Sequence, residues 1–213
     1  MSESANERGN RLRREGKFDE AHRAYSTALR EDELNTKAWC NMGLLYAMWN
    51  KDKHAEECFK MALKIDSDNA YVWHTWANYL TAENRYDETD EAFQRAVVLD
   101  PDNAELWAAI GNLHVTNNWE YAQGAFEKAI ELEPDGARVW QLFGIGQFRN
   151  DMNTDAERSL KKAVVLDPER TESWVMLAKV LVEMGRLREG IDAHYEAVPG
   201  SVVHAFSTLA NTS

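Results

Sequence analysis

Apolar positions along the chain recur with helical spacing. One face of the segment 36–48 carries residues at i, i+3, i+4 and i+7, namely Trp39, Met42, Gly43 and Tyr46. A separate stripe follows in the segment 86–97, formed by Tyr86, Phe93, Ala96 and Val97. Both patterns indicate amphipathic helices, and their alternation along the chain predicts helix–turn–helix pairs.

The pairs repeat with a nearly constant period. Five tryptophans are spaced by 34, 34, 33 and 34 residues, namely Trp39, Trp73, Trp107, Trp140 and Trp174. A small residue follows each of them after four positions, namely Gly43, Ala77, Gly111, Gly144 and Ala178. Three units end in a Leu-acid-Pro tripeptide at 99–101, 132–134 and 166–168, where proline stops a helix. We therefore expect tandem helix pairs whose small residues allow close packing and whose indole rings are hidden in the core.

With these residues the chain resembles the tetratricopeptide repeat (TPR) family, whose signature combines W-x2-L-G-x2-Y, A-x3-F and a terminal proline. The segment 104–134 carries nearly the whole pattern. The resemblance implies an all-α, right-handed superhelix that forms a single domain over residues 1–213. Its six repeats are expected at 2–35, 36–69, 70–103, 104–136, 137–170 and 171–204.

Two local details refine this prediction. Ser4 and Glu7 form a capping-box pattern that predicts the start of the first helix. The fourth repeat is one residue short, and the alignment places the deletion in the turn around Asn117 and Asn118.

The C-terminal segment 201–210 has apolar residues on one helical face, namely Val202, Val203, Phe206 and Leu209. We expect a short capping helix that covers the last repeat, because terminal repeats need a polar outer face. The alternative is the stump of a longer array, whose apolar surface would self-associate.

Composition narrows the functional classes. The 213 residues carry a net charge of −12, which disfavours nucleic-acid binding. No stretch of eighteen apolar residues and no N-terminal apolar segment is present in the sequence, so we expect a cytoplasmic protein without membrane insertion. The acidic residues concentrate in the second helices and turns of repeats three and four. They are expected to form a solvated outer face rather than a docking site for a basic partner.

The sequence offers little support for catalysis. Its six histidines are dispersed, and it contains no HExxH, Cys-x2-Cys, P-loop or GxSxG motif. We therefore expect no enzyme activity, no catalytic residues, no cofactor and no metal site. His114 is expected to pack rather than to bind a ligand. Cys40 is either a reactive thiol facing the groove or, as we favour, a small buried residue.

In the family, residues of the first helix of each repeat line a concave groove that binds peptides. Transferred to this sequence, the groove comprises Asn10, Arg13, Asn41, Leu44, Met48, Tyr71, His74, Asn78, Ala108, Asn112, Gln141, Ile145, Phe148 and Arg149. Cys40, Thr75 and Val115 are further lining positions. Asparagine recurs at one repeat position and can pair with the backbone of an extended peptide. Some relatives clamp a C-terminal carboxylate with basic side chains, but Asn6, Tyr71 and Thr75 occupy those positions here, so no such clamp is expected.

These observations predict a scaffold or adaptor that binds a peptide segment of a partner protein of unknown identity. The alternative is a self-assembling structural module that forms a homo-oligomer through its terminal repeat or its outer surface.

Overall fold

The computed structural model describes residues 3–197. These residues form twelve α-helices, and no strand occurs among them. The helices are α1 (Ala5–Arg14), α2 (Phe18–Glu31), α3 (Thr36–Met48), α4 (Asp52–Ile65), α5 (Ala70–Ala82), α6 (Tyr86–Leu99), α7 (Ala104–His114), α8 (Trp119–Leu132), α9 (Ala137–Arg149), α10 (Asn153–Leu166), α11 (Thr171–Glu183) and α12 (Leu187–Glu196). The predicted all-α fold of helix–turn–helix repeats is confirmed.

The chain divides into two compact units, Met1–Pro101 and Asp102–Ser213, which hold α1–α6 and α7–α12. Within each unit, consecutive helices pair as hairpins, and the first helices of successive hairpins are neighbours. Thus α3 contacts α1 and α5 in unit 1, and α9 contacts α7 and α11 in unit 2. Each predicted repeat contains one hairpin. The predicted capping helix, 201–210, lies outside the described residues and stays a prediction.

Polar caps fix where the first helices begin. Ser4 and Glu7 form the predicted capping box, because the Ser4 hydroxyl accepts from the Glu7 N–H and the Glu7 carboxylate accepts from the Ser4 N–H. Asn35, Asn69 and Asn103 precede the next three first helices, and their side chains accept backbone N–H groups there. The sequence prediction for the start of α1 is confirmed.

The turn inside a hairpin needs one residue in the left-handed backbone conformation. Five turns place it at the same repeat position, with φ between 55° and 77°, namely Gly16, Asn50, Asn84, Asp151 and Gly185. Glycine and asparagine adopt this conformation at low cost. The fourth turn, 115–118, has no such residue, and the Asn118 side chain instead caps α8. The one-residue deletion therefore lies where the sequence placed it.

In the first, second and fourth hairpins, a small residue on the first helix packs against a large residue on the second. Tyr25, Phe59 and Phe126 are fully buried. A Cβ atom added at Gly9, Gly43 or Gly111 would approach their rings to 2.4, 3.0 and 2.9 Å, so these positions have no room for a side chain. The close approach predicted from the small residues is confirmed.

The sixth hairpin departs from this arrangement. His194 occupies the aromatic position but is exposed. Gly190 on α12 now supplies the close approach, because a Cβ atom there would lie 2.7 Å from a Val182 methyl group. The last hairpin thus packs closely without a large ring in its centre.

The tryptophans that mark the period are half-buried, so the expectation that their rings are hidden is wrong. In four of the five, the indole N–H donates to the backbone carbonyl six residues earlier, at 2.7–2.9 Å: Trp39 to Glu33, Trp73 to Ser67, Trp140 to Pro134 and Trp174 to Pro168. An indole keeps its N–H near a polar partner, which holds the ring at the edge of the core. The rings therefore tie each first helix to the preceding turn.

One ion-pair arrangement occurs twice, between the second and third hairpins and between the fifth and sixth. Arg85 pairs with Glu56 at 2.6 Å, and Arg186 pairs with Glu157 at 2.7 Å. Each arginine also binds the glutamate three residues ahead of it on the chain, Glu88 or Glu189. The arginine thereby links its own helix to the second helix of the preceding hairpin.

Candidate functional site

Two side-chain contacts between α1 and α3 bring predicted site residues together in unit 1. The Asn41 Nδ2 donates to the Asn6 Oδ1 at 3.1 Å, and the Arg13 Nη1 donates to the Met48 sulfur at 3.4 Å. These contacts place Arg13, Asn41 and Met48 along one seam between α1 and α3.

One of the two polar groups of the Asn10 side chain already forms a hydrogen bond within unit 1. The Tyr25 ring packs against Gly9, and its hydroxyl group donates to the Asn10 Oδ1 at 2.8 Å. Within residues 3–197, the Asn10 Nδ2 has no hydrogen-bond partner. A peptide could therefore use the amide nitrogen of Asn10, whereas its oxygen is already paired.

The remaining predicted residues of unit 1 lie at or near the surface. Met48 is 50% exposed and Tyr71 is 41% exposed, and Asn78 is also exposed. Leu44 and His74 are half-buried, and the His74 ring lies 6.1 Å from that of Phe93. We call Arg13, Leu44, Met48, Tyr71, His74 and Asn78 the unit-1 patch.

Unit 2 presents a comparable set. Asn112 and Arg149 are exposed, and Ile145 and Phe148 are half-buried. The Lys179 Nζ lies 5.4 Å from the Phe148 ring centroid, at a distance typical of cation–π contacts. We call Asn112, Ile145, Phe148, Arg149 and Lys179 the unit-2 patch.

Sequence reasoning missed Lys179, although the repeat register could have found it. Lys179 occupies in the sixth repeat the position that Asn78 and Asn112 hold in the third and fourth.

Three predicted groove residues are buried, and these predictions are corrected. Ala108 is 2% exposed because it packs in a core cluster with Ala129 and Val139. Asn41 is 6% exposed, since its seam contact with Asn6 lies between two helices, and Gln141 is 7% exposed. A bound peptide could not contact these side chains extensively without moving their neighbours.

Further lining positions are also buried. Cys40 is fully buried, and burial raises the pKa of its thiol to about 12. The favoured interpretation of Cys40 as a small buried residue is confirmed. Thr75 is buried and donates to the Tyr71 carbonyl at 2.7 Å, and Val115 is 1% exposed. None of these three side chains is available to a partner on the surface described.

The two patches contain neutral and cationic side chains and no carboxylate. His114 packs its ring edge against Tyr121, with centroids 4.9 Å apart. In the described part of the chain, no group of His, Cys, Asp and Glu side chains has the arrangement of a metal site. The helices described between residues 3 and 197 include none long and apolar enough to cross a membrane.

Comparison with known proteins gives one sequence match and many structural ones. The family model of the tetratricopeptide repeat matches residues 36–69, the second predicted repeat. No curated protein sequence matches the chain. Among solved structures, the pilF protein of Pseudomonas aeruginosa has a TM-score of 0.70 at 18% identity, with 96% of each chain covered.

Two further structures show the same fold. PilW, described as a widely conserved type IV pilus biogenesis factor, has a TM-score of 0.75 at 18% identity, with 91% of this chain and 88% of PilW covered. YrrB, described as a TPR protein with an unusual peptide-binding site, has a TM-score of 0.55 at 18% identity, with 89% of this chain and 98% of YrrB covered.

Proposed function

Because the chain is a tetratricopeptide repeat protein, we propose that it is a non-catalytic cytoplasmic adaptor that binds a peptide segment of a partner protein along its first helices. The fold is that of protein–protein interaction scaffolds. YrrB, which shares the fold, is described as having a peptide-binding site. The proposal rests on which side chains the two patches expose. Each combines an exposed asparagine with apolar side chains that the hairpin cores do not fully cover.

The asparagines suit the backbone of an extended peptide. Asn78 and Asn112 are exposed and occupy the same repeat position. A side-chain amide donates and accepts at once, so it can pair with both groups of a peptide unit. Because the hairpins hold the helices in place, little conformational entropy is lost in the protein when the peptide binds.

The apolar residues would select side chains of the peptide. Met48 and Tyr71 offer exposed apolar surface in the unit-1 patch, and Phe148 does so in part in the unit-2 patch. Methionine adapts its shape to different partners, whereas the aromatic rings provide rigid contact area. This combination favours a segment that has apolar residues among polar ones.

The proposal can be tested with peptides selected on the full-length protein from a random displayed library. We expect the double substitution Asn78→Ala and Asn112→Ala, which changes one residue in each patch, to weaken binding of a selected peptide by up to about tenfold, because a lost hydrogen bond contributes about 0.5–1.5 kcal/mol. Fluorescence anisotropy measures the affinity, and thermal unfolding followed by circular dichroism shows whether the variant remains folded.

Asn117→Ala is a matched control, since Asn117 is exposed but lies in a turn outside both patches. Its substitution should leave the affinity unchanged. Equal affinities of the double variant and the wild type would contradict peptide binding through the patches, as would a library that yields no binding peptide.

A second candidate function, self-association, is favoured by α12. Its exposed apolar stripe consists of Leu187 (61%), Ile191 (52%) and Tyr195 (40%). Ile191 occupies the repeat position of Glu56 and Glu157, the two glutamates that pair with the following hairpin. The stripe therefore faces the side on which a further hairpin would pack.

Light scattering over a range of protein concentrations tests this candidate. If the stripe mediates association, Ile191→Glu should yield a monomer, whereas Val165→Glu should not. Val165 is 74% exposed on α10 and serves as the matched control. A wild-type protein that remains monomeric at every concentration would contradict self-association.

A further inference from the structure

Arg13 differs from Arg11 and Arg85, the arginines of unit 1 that hold a glutamate, in its hydrogen bonding. It lies in the last turn of α1 and is half-buried. Its Nη1 donates to the Met48 sulfur, and its Nε is buried without a hydrogen-bond partner. No carboxylate among residues 3–197 forms an ion pair with it.

Three other arginines show what this group ordinarily binds. Arg11, Arg85 and Arg186 each use the edge formed by Nε and Nη2 to hold both oxygens of a glutamate. A guanidinium is suited to this planar, bidentate contact. In Arg13 the same edge holds no carboxylate, and a thioether sulfur is only a weak acceptor. Arg13 therefore lacks the carboxylate partner that each of the other three arginines has.

The surroundings of Arg13 contain phenols rather than acids. The pKa values of Tyr25 and Tyr71 are raised chiefly by burial. Arg13 opposes this rise, through a hydrogen bond and its charge at Tyr25 and through its charge alone at Tyr71. Both phenols are therefore neutral at pH 7, so neither compensates the guanidinium charge. Tyr71 is also exposed enough for its hydroxyl group to donate to a ligand.

The position of Met48 would allow a ligand to reach the Arg13 guanidinium. Its side chain is 50% exposed and contacts the guanidinium only through sulfur. Methionine side chains rearrange readily because they are unbranched and flexible. A stronger acceptor could displace the sulfur without disturbing the buried residues of α3.

We propose that Arg13 binds a carboxylate of the bound peptide, in place of the Met48 sulfur and beside the Tyr71 hydroxyl. This inference rests on the proposed peptide binding and specifies an acidic group in the ligand. The carboxylate comes either from an aspartate or glutamate side chain or from a peptide C-terminus, since both present the same two oxygens. The site requires a single arginine and neutral neighbours, and all of them belong to unit 1.

The Arg13 Nε–H group can be observed directly by NMR in the full-length protein labelled with ¹⁵N-arginine. Three probes are added at pH 7: N-acetylglutamate N-methylamide, N-acetylalanine and N-acetylglutamine N-methylamide. The first carries a side-chain carboxylate, the second a terminal carboxylate and the third a neutral amide. The variant Arg13→Gln identifies the resonance by removing it.

We expect the Arg13 Nε–H resonance to shift saturably with at least one carboxylate probe, and with about tenfold higher affinity than with the neutral amide. The carboxylate probe with the higher affinity identifies the source of the group. Arg14 is the internal control, because it occupies the same helix turn but is exposed. The variant Arg14→Gln should retain the Arg13 response.

The inference is overturned if the Arg13 resonance moves no more than that of Arg14, or if it responds equally to the neutral amide. This result differs from a failure of the proposed function. Selected peptides whose binding depends on Asn78 and Asn112 would still support peptide binding, even if the Arg13 resonance did not respond to the carboxylate probes. Conversely, a carboxylate response at Arg13 can be detected whether or not the library yields a peptide.

Discussion

The indole N–H of Trp140 donates to the carbonyl oxygen of Pro134 at 2.8 Å, across the turn that joins two hairpins of unit 2. Trp174 and Pro168 form the same bond one repeat later, at 2.9 Å. The proline ends the preceding helix, and the bond fixes its carbonyl against the next first helix. The recurring tryptophan therefore orients successive hairpins through one polar contact as well as through its ring.

Trp140→Phe is expected to destabilise the protein by about 1 kcal/mol, because it removes this hydrogen bond and leaves the Pro134 carbonyl without the indole donor. Urea unfolding measures the change in free energy. Trp119→Phe is the control, since the Trp119 ring stacks on Phe143 but its N–H makes no hydrogen bond in the part of the chain described. Equal losses in the two variants would show that ring size, rather than the N–H bond, decides the effect.

The sequence predicts most of the fold because the repeat constrains it at many points. The spacing of Gly43 and Phe59 indicates where two helices approach closely, and the structure confirms it. The burial of Trp39 could not be predicted in the same way. Its indole N–H requires a polar partner, and only the three-dimensional path of the preceding turn shows that the Glu33 carbonyl provides one.

The candidate site is less predictable, since exposure depends on neighbouring hairpins. Asn78 and Ala108 both lie on first helices, yet Asn78 is exposed while Ala108 is covered by residues of α8 and α9. Periodicity places a residue on a helix face but does not say how much of that face a neighbour covers. The bond between Arg13 and Met48 crosses from one repeat to another, so no pattern within a repeat reveals it.

Two glycines provide opposite tests of packing. A Cβ atom at Gly111 would lie 2.9 Å from the buried Phe126 ring, whereas one at Gly124 would have no neighbour within 4 Å. Gly111→Ala is therefore expected to destabilise by about 1–3 kcal/mol through overpacking. Gly124→Ala, inside α8, should stabilise by about 0.5–1 kcal/mol because alanine favours the helix.

Thermal and urea unfolding of both variants would measure these changes. The opposite signs make the pair informative, since a general effect of alanine would shift both variants in the same direction. A stabilised Gly111→Ala variant would mean that Phe126 moves aside at little cost and that the hairpin core is not closely packed.

Glu157 should make stability sensitive to acid. Its pKa is lowered chiefly by the hydrogen bond from Lys161, with a further contribution from Arg186, and burial opposes this shift. A carboxyl group whose pKa is lower in the folded state stabilises the protein above its ordinary pKa of 4.5. This stabilisation is lost as the pH falls through the lowered value.

Glu157→Gln is accordingly expected to cost about 1 kcal/mol at pH 7, and this cost should disappear as the pH falls below the lowered pKa. Urea unfolding at a series of pH values measures the difference between variant and wild type. The control is Glu183→Gln, because Glu183 is exposed and forms no ion pair within residues 3–197. A cost that stays constant down to pH 2 would mean that charge is not its origin.

Cys40 and Cys58 are expected to react slowly with disulfide reagents in the native protein. Burial raises the pKa of each thiol from 9.0 to about 12, which reduces the thiolate fraction at pH 8 by about a thousandfold. Labelling should therefore require opening of the second hairpin and should become fast in urea. Absorbance assays with an aromatic disulfide would follow the rate, and Thr154→Cys, at an exposed position of unit 2, would supply a fast control. Rapid labelling of Cys40 in buffer would instead place its thiol at the surface and support the alternative of a reactive residue facing the bound peptide.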